Sequence, residues 1–312
     1  MEFRSIVGSA DVTDAMVPDA TVKEIIKEAP TTSVVLERGR QVPLSRKKSK
    51  QPVLSTLPEA HWVHGETGLK QTTKATWENL MITAEELAVI VPIPDALIDD
   101  ADVPLWDEIK PLLVEAIGRK VDQAALFGTD KPDSWPTGLV PGAIAAKNTL
   151  AVGANADFGA DVAALAEKVS TSGVTVTGFA SRPGLQWKLI GLRDANGQPI
   201  YTPALASGAP SGLYGFPLNE VRNGAWNATA AELVAADWNK IVVGIRQDVT
   251  FDLFKEGVIT DQDGKVIYNL MTQDAKALRV VFRVGFQIAQ PVTAASGKKA
   301  FPAGVLTPAK AA

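Results

Sequence analysis

Residues 102–128, DVPLWDEIKPLLVEAIGRKVDQAALFG, decide the fold. Leu105, Ile109, Leu112, Leu113, Ala116, Ile117, Val121, Ala124 and Phe127 recur at helical spacing and form one apolar stripe. Asp102 stands where a cap belongs, Pro104 suits a first turn, and Asp107 and Glu108 favour the positive end of the helix dipole. Gly128 marks the stop. Pro111 removes a backbone donor in mid-helix, which predicts a kink or a restart there. At about 1.5 Å per residue the segment spans roughly 35 Å. A helix of that length is a spine on which other elements are arranged.

Upstream, residues 51–92 are rich in Val, Thr and Trp, with Gly65-Glu66-Thr67-Gly68 in the middle. Two extended runs about a glycine-bearing tip predict a β-hairpin. From Val53 to His64 the first run would reach about 40 Å at ~3.4 Å per residue. An isolated two-stranded ribbon is marginal in water. A ribbon carrying Trp62, Val63, Trp77, Leu80 and Met81 therefore needs a surface to lie on, either its own core or another copy. Before it, residues 1–35 read as a loosely structured arm with a short amphipathic helix near 20–28. The basic run Arg38, Arg40, Arg46, Lys47, Lys48 and Lys50 reads as solvated arm, or as an inner segment meeting an acidic neighbour or DNA.

Downstream, residues 128–160 read as loops. Val162, Leu165, Ala166 and Val169 mark a helix over 161–170, followed by a strand at 174–177. Ser181 is the expected cap of a third helix, with Pro183 in its first turn, that runs to Arg193 before a turn at 195–198. Strands near 215–221 and 240–246 complete a small α/β unit. Val249, Phe251 and Leu253 then alternate with polar residues. Leu278, Val280, Phe282, Val284, Phe286 and Ile288 keep a period of two over 278–288, the strongest strand pattern in the chain. Asp261-Gln262-Asp263-Gly264 supplies a turn between these runs, and residues 294–312 read as a frayed end.

Composition narrows the function. With 312 residues, 46% hydrophobic and 21% charged, the chain has material for a sizeable core. A net charge of −4 lacks the basic excess of a dedicated nucleic-acid binder. The absence of cysteine excludes disulfides and thiolate chemistry. No signal peptide or membrane span is read, so synthesis is expected in a cytoplasm.

Residues for chemistry are few. His61 and His64 are the two histidines, at a spacing that points to opposite faces of a strand. Ser211 misses the nucleophile elbow. Asp99, Asp100 and Asp102 read as charge ahead of a helix rather than as a metal site. Asn227-Ala228-Thr229 is a chance glycosylation pattern. No catalytic, metal or cofactor residue is therefore predicted, and no cofactor.

Several short motifs occur in a consistent order. They are Ala60-His61-Trp62-Val63-His64-Gly65-Glu66; the stretch 87–100, LAVIVPIPDALIDD; Gly128-Thr129-Asp130 with Pro136-Thr137-Gly138-Leu139; 192–201, LRDANGQPIY; Leu213-Tyr214-Gly215-Phe216-Pro217-Leu218; Gly244-Ile245-Arg246; and Arg279 and Arg283 before Pro291-Val292-Thr293-Ala294. Together, over about residues 52–294, they resemble the major capsid proteins of tailed bacteriophages. In the first motif glycine precedes glutamate where relatives often have the reverse, and Pro94 and Ala96 replace the usual Ser and Glu.

The resemblance implies an α+β chain with the HK97-like capsid fold. Its parts would be an N-terminal arm (1–50), an extended E-loop hairpin (51–92), a peripheral domain (93–140 and 246–312) with the spine helix at about 102–128, and an axial α/β domain (141–245). It implies a structural, non-enzymatic head-shell protein that assembles in a bacterial cytoplasm as hexamers and pentamers around double-stranded DNA. Portal and scaffolding proteins are the implied partners, with a decoration protein as a further one. The scaffold would be separate, or absent, since about fifty residues before the hairpin are too few to carry one. Inter-subunit contacts are expected at Trp62, Glu66, Lys70, Lys74 and Trp77. Some relatives join an E-loop lysine to a neighbour's asparagine. Lys70 or Lys74 and Asn269 are the residues to weigh here, against simple solvated lysines. The rival readings are an encapsulin-type compartment shell and a soluble α/β hydrolase.

Overall fold

The computed structural model describes residues 33–63, 70, 72–101, 104–155, 157–191, 212–261 and 263–309. Its helices are α1 (Val34–Arg38), α2 (Asp95–Asp100), α3 (Leu105–Asp122), α4 (Leu139–Ala145), α5 (Phe158–Thr171) and α6 (Leu185–Ile190). Its strands are β1 (Arg40–Pro43), β2 (Lys48–Thr56), β3 (Thr76–Pro94), β4 (Thr149–Ala151), β5 (Gly178–Ser181), β6 (Gly212–Leu213), β7 (Phe216–Glu220), β8 (Leu233–Ala236), β9 (Ile241–Phe254), β10 (Val258–Thr260), β11 (Val266–Asn269), β12 (Ala275–Ile288) and β13 (Ala303–Thr307). This is the α+β class read from the sequence. The strands form a five-stranded sheet in the order β1-β9-β12-β3-β2, a β10-β11 hairpin, and a six-stranded sheet in the order β4-β13-β8-β5-β7-β6. Two units are distinguished, one holding residues 86–117 and 247–283, the other 32–85, 118–246 and 284–312. The long strands β3, β9 and β12 and the helix α3 contribute residues to both.

The spine helix is present. Leu105, Leu113, Ile117, Val121 and Ala124 of the expected stripe are buried, whereas Leu112 is 48% exposed. After Asp122 the chain makes a π-helical turn, Gln123–Phe127, and stops at Gly128. That glycine adopts φ 70° and donates to the carbonyls of Ala124 and Gln123, a conformation that disfavours any side chain. The helix neither breaks nor restarts at Pro111. The carbonyl left without a donor is that of Asp107, an exposed residue whose backbone water can reach. Pro104 is not in the first turn but caps it: its carbonyl accepts from the amides of Asp107 (2.9 Å) and Glu108 (3.3 Å). Asp102 and the expected helix at 20–28 lie outside the described residues.

The six-stranded sheet packs Phe179, Leu218, Leu233, Ala235 and Leu306 with Val162, Leu165 and Val169 of α5. That helix starts earlier than Asp161, because the Asp157 carboxylate accepts from the Ala160 amide at 2.6 Å and caps it. Asp161 is fully buried and instead accepts from the amides of Gly153 (2.6 Å) and Asn155 (2.8 Å). The strand expected at 174–177 falls at β5; Val174 and Val176 are buried in the segment leading to it. Ser181 ends β5 and caps no helix; Gly184 precedes α6 instead. Residues 192–211 are outside the described set.

The expectation of a frayed end is overturned. Strand β13 pairs antiparallel with β8 and parallel with β4, and Ala303, Val305 and Leu306 are fully buried. Its uncharged Ala-Gly-Val-Leu run is that of an interior strand, hidden in a composition of alanine, lysine and proline.

In the five-stranded sheet, β1 runs parallel to β9 from Arg40↔Val242 to Pro43↔Ile245. Much of the basic run read as free arm is therefore strand, in β1 and the start of β2. Between them the chain passes Gly244, where a Cβ would stand 2.4 Å from Leu44 Cδ1. Leu44 fills that space and clusters with Ile82, Ala84 and Val242. Strand β9 fuses the two runs read at 240–246 and 249–253, and β12 starts three residues before the alternating run. The turn at 261–264 lies within the β10-β11 hairpin, where the Asp261 carboxylate accepts from the amides of Asp263 (3.0 Å) and Lys265 (2.8 Å).

Candidate inter-subunit surface

The ribbon is built by β2 and β3, antiparallel from Lys48↔Thr83 to Thr56↔Thr76 with a bulge between Leu54 and Thr56. Its base is held firmly. Ile82, Thr83 and Ala84 are buried, the Gln287 side chain donates to the Met81 carbonyl (3.0 Å), Val292 N donates to the Leu54 carbonyl (3.3 Å), and Lys299 pairs with Glu78. Five residues nearer the tip, Trp77, Glu78 and Asn79 are all exposed. Opposite them Val53 and Leu54 are half-buried, and Val292 and Lys299 contact this stretch, so here the ribbon is only partly covered. The first strand ends at Thr56, not near His64 as the sequence suggested. Beyond it the legs are tied by Thr76 Oγ1 donating to Thr56 Oγ1 (2.6 Å) and by Glu59 N donating to Thr73 Oγ1 (2.9 Å).

Of the expected contact residues, Trp62, Lys70, Lys74 and Trp77 are exposed. Trp62 is 94% exposed and Trp77 66% exposed. Lys70 and Lys74 are exposed, with no ion pair among the described residues. Glu66 and His64 lie outside the described residues, and His61 is exposed. Asn269 has its side-chain oxygen engaged by the Met271 amide at 3.2 Å. Asp99 and Asp100 occupy the exposed last turn of α2, and no group of three metal-ligating side chains occurs among the described residues.

Sequence reasoning missed further exposed apolar residues. Val258, Val266 and Met271 (75% exposed) lie on or beside the β10-β11 hairpin, and Trp187 stands exposed on α6. A hydrophobic residue in a strand or helix pattern reads as core from sequence, so no signal separated these from buried neighbours.

Residues 13–298 match the sequence pattern of the Phage capsid family. This chain belongs to that family. Among curated proteins, the capsid protein is 25% identical to the major capsid protein of Staphylococcus phage 80alpha over 269 residues, covering 85% of this chain and 79% of that one. It is 26% identical to the major capsid protein of Klebsiella oxytoca phage phiKO2, covering 92% and 68%. A solved structure from Microbacterium phage Oxtober96 superposes with a TM-score of 0.82 at 35% identity, covering 97% of this chain and all of the other. One from Mycobacterium phage Cain gives 0.82 at 34%, covering 99% and 100%. The capsid of a native GTA particle shares the fold at 17% identity and a TM-score of 0.65. The fold is HK97-like, and the protein is a structural component of a phage head shell. Both curated relatives are phage major capsid proteins, neither encapsulin shells nor hydrolases.

Proposed function

We propose that this capsid protein closes an icosahedral head around double-stranded DNA as hexamers and pentamers, with the ribbon of each copy lying on the next. The observation that carries this is the exposure of Trp62 and Trp77 on the ribbon. An exposed apolar ribbon is a liability that a soluble monomer avoids. Burying one tryptophan removes roughly 150–250 Å² from water, and about 4 kcal/mol is the scale of that gain at ~25 cal/mol per Å². Repeated under symmetry, one such contact closes a shell without any catalytic step.

In this reading residues 1–50 form the arm, 51–92 the clasping hairpin, 93–140 and 246–312 the peripheral domain, and 141–245 the axial domain around the capsomer centre. The β13 strand shares a sheet with β8 and β5, which favours grouping residues 303–307 with the axial part. Trp62, Glu66, Lys70, Lys74 and Trp77 are the contact residues on the hairpin. A portal and a separate scaffolding protein are the expected partners, a decoration protein an additional one, and a bacterial cytoplasm the place of assembly. Lys70 and Lys74 are read as solvated or ion-paired groups.

The test is sedimentation and negative-stain microscopy of the purified full chain, alongside Trp62→Ala/Trp77→Ala. Wild type should form closed particles, while the double variant should remain folded but unassembled. A wild-type chain that stays monomeric at high concentration sinks the reading.

A further inference from the structure

Of the buried carboxylates among the described residues, Asp122 ties together segments far apart in sequence. Asp122, the last residue of α3, is fully buried. Its Oδ1 accepts from Ser33 Oγ (2.6 Å) and Val35 N (3.0 Å), and its Oδ2 from Val34 N (3.1 Å) and Asn223 Nδ2 (2.7 Å). Asn223 cannot turn its amide round, because its own oxygen accepts from Ala225 N at 3.1 Å. Four donors therefore converge on one group, from two segments that are far apart in sequence. Two of those donors are the first amides of α1, and the third amide-side acceptor, Ser33 Oγ, takes Leu36 N at 3.1 Å.

Helix α1 has only five residues, too few to hold itself by internal hydrogen bonds. Its fixed position comes from Asp122 and from the burial of Ser33, Val34 and Val35. One turn before Asp122, Gly118 opens the same side of α3: a Cβ there would stand 3.4 Å from the Ser33 nitrogen. The charged side chains nearest in sequence to these groups are Glu37, Arg38, Arg119, Lys120 and Arg222. None is a hydrogen-bond partner of the carboxylate; Lys120 pairs with Asp130 and Arg222 with Glu220.

We propose that Asp122 is a positioning residue for assembly: by capping α1 it holds residues 33–38, next in sequence to residues 1–32, in one place. The inference rests on the reading of residues 1–32 as an arm that engages a neighbouring copy. Without those four hydrogen bonds residues 33–38 would be held less firmly, and assembly would be less efficient.

The test uses the full chain in two states. In the unassembled protein, Asp122→Asn should speed hydrogen exchange at the Val34, Val35 and Leu36 amides by tenfold or more, while the 233–236 amides of β8 keep their protection. Adding Asn223→Asp returns a carboxylate to the cluster and should slow exchange at 34–36 again. Ser33→Ala, which removes one donor and one cap, should give a milder version of the same pattern if Asp122→Asn does not fold. Microscopy should then show fewer closed particles for the folded variants than for wild type. Unchanged protection at 34–36, equal loss at 233–236, or wild-type assembly despite a released α1 would each overturn the assignment. Failure of wild type itself to assemble would instead overturn the shell reading, and this inference with it.

Discussion

At Asp122 two opposed effects act on one carboxyl group. Burial pushes its pKa up, and the donors Ser33, Val35, Asn223 and Val34 pull it down by less, so the folded-state value stands above the ordinary carboxylate range. The folded chain then holds this proton to higher pH than the unfolded chain does. By linkage, the group's contribution to stability falls as pH rises from the ordinary carboxylate value through the raised one, and is level above it. Asp122→Asn carries no such proton. The stability of wild type minus that of the variant, from urea midpoints in a pH series that starts at the ordinary carboxylate value of about 4, should decline as pH rises and then flatten. At neutral pH the variant should still be the less stable by about 2 kcal/mol, because an amide nitrogen would face donors that the carboxylate accepted. A difference that rises with pH would contradict this account. Gly244 gives a second test at this scale. A Cβ there meets Leu44 Cδ1 at 2.4 Å and Ile82 Cγ2 at 3.0 Å inside a closed cluster. Gly244→Ala should cost about 1–3 kcal/mol by overpacking, and Leu44→Ala added to it should recover part of that loss in thermal melts.

Among the elements, those with strong periodicity were legible and those defined by long-range pairing were not. The spine stripe from Leu105 to Ala124 and the alternation of β12 each repeat a simple pattern over many residues, and both are present. Short elements had no such pattern. Helix α1 depends on an acid 87–89 residues away, and β8 and β13 are recognisable chiefly through each other. The two tryptophans of the ribbon were readable as contact candidates because a two-stranded element cannot bury them alone, whereas Met271 and Val258 looked like ordinary strand residues. Strand β13 carries a prediction. Ending the chain at Pro302 would remove a strand paired on both sides and expose the edges of β4 and β8. Loss of Val305 and Leu306 alone forfeits about 1.5–3 kcal/mol each, a large share of a typical domain's stability. The truncated chain should lose its cooperative unfolding transition by calorimetry, whereas ending it at Thr307 should leave the transition in place.

For the whole molecule, the ribbon with its exposed tryptophans sets a relation between stability and assembly. Any partner that binds only the folded chain raises its unfolding temperature by mass action. Within a shell the partner is another copy, so assembled particles should melt well above the free chain, and the gap should widen with protein concentration before assembly is complete. In the proposed assembly the tryptophans set its size. Trp62 is 94% exposed and Trp77 66%, so Trp62→Ala/Trp77→Ala should change the free chain's stability by no more than about 0.5 kcal/mol, as expected of surface positions. The same substitutions should abolish the gap, because no particle forms to supply it. Ion pairs give a contrasting control. Lys47–Glu85 (3.3 Å), with a largely exposed lysine, sits at the ribbon's base within a single chain, and such pairs are worth well under about 1 kcal/mol. Lys47→Ala should therefore change neither melting point nor assembly. Calorimetry of free and assembled wild type beside these two variants separates the alternatives: a double-tryptophan variant that melts far below free wild type would mean that the ribbon packs on its own chain after all.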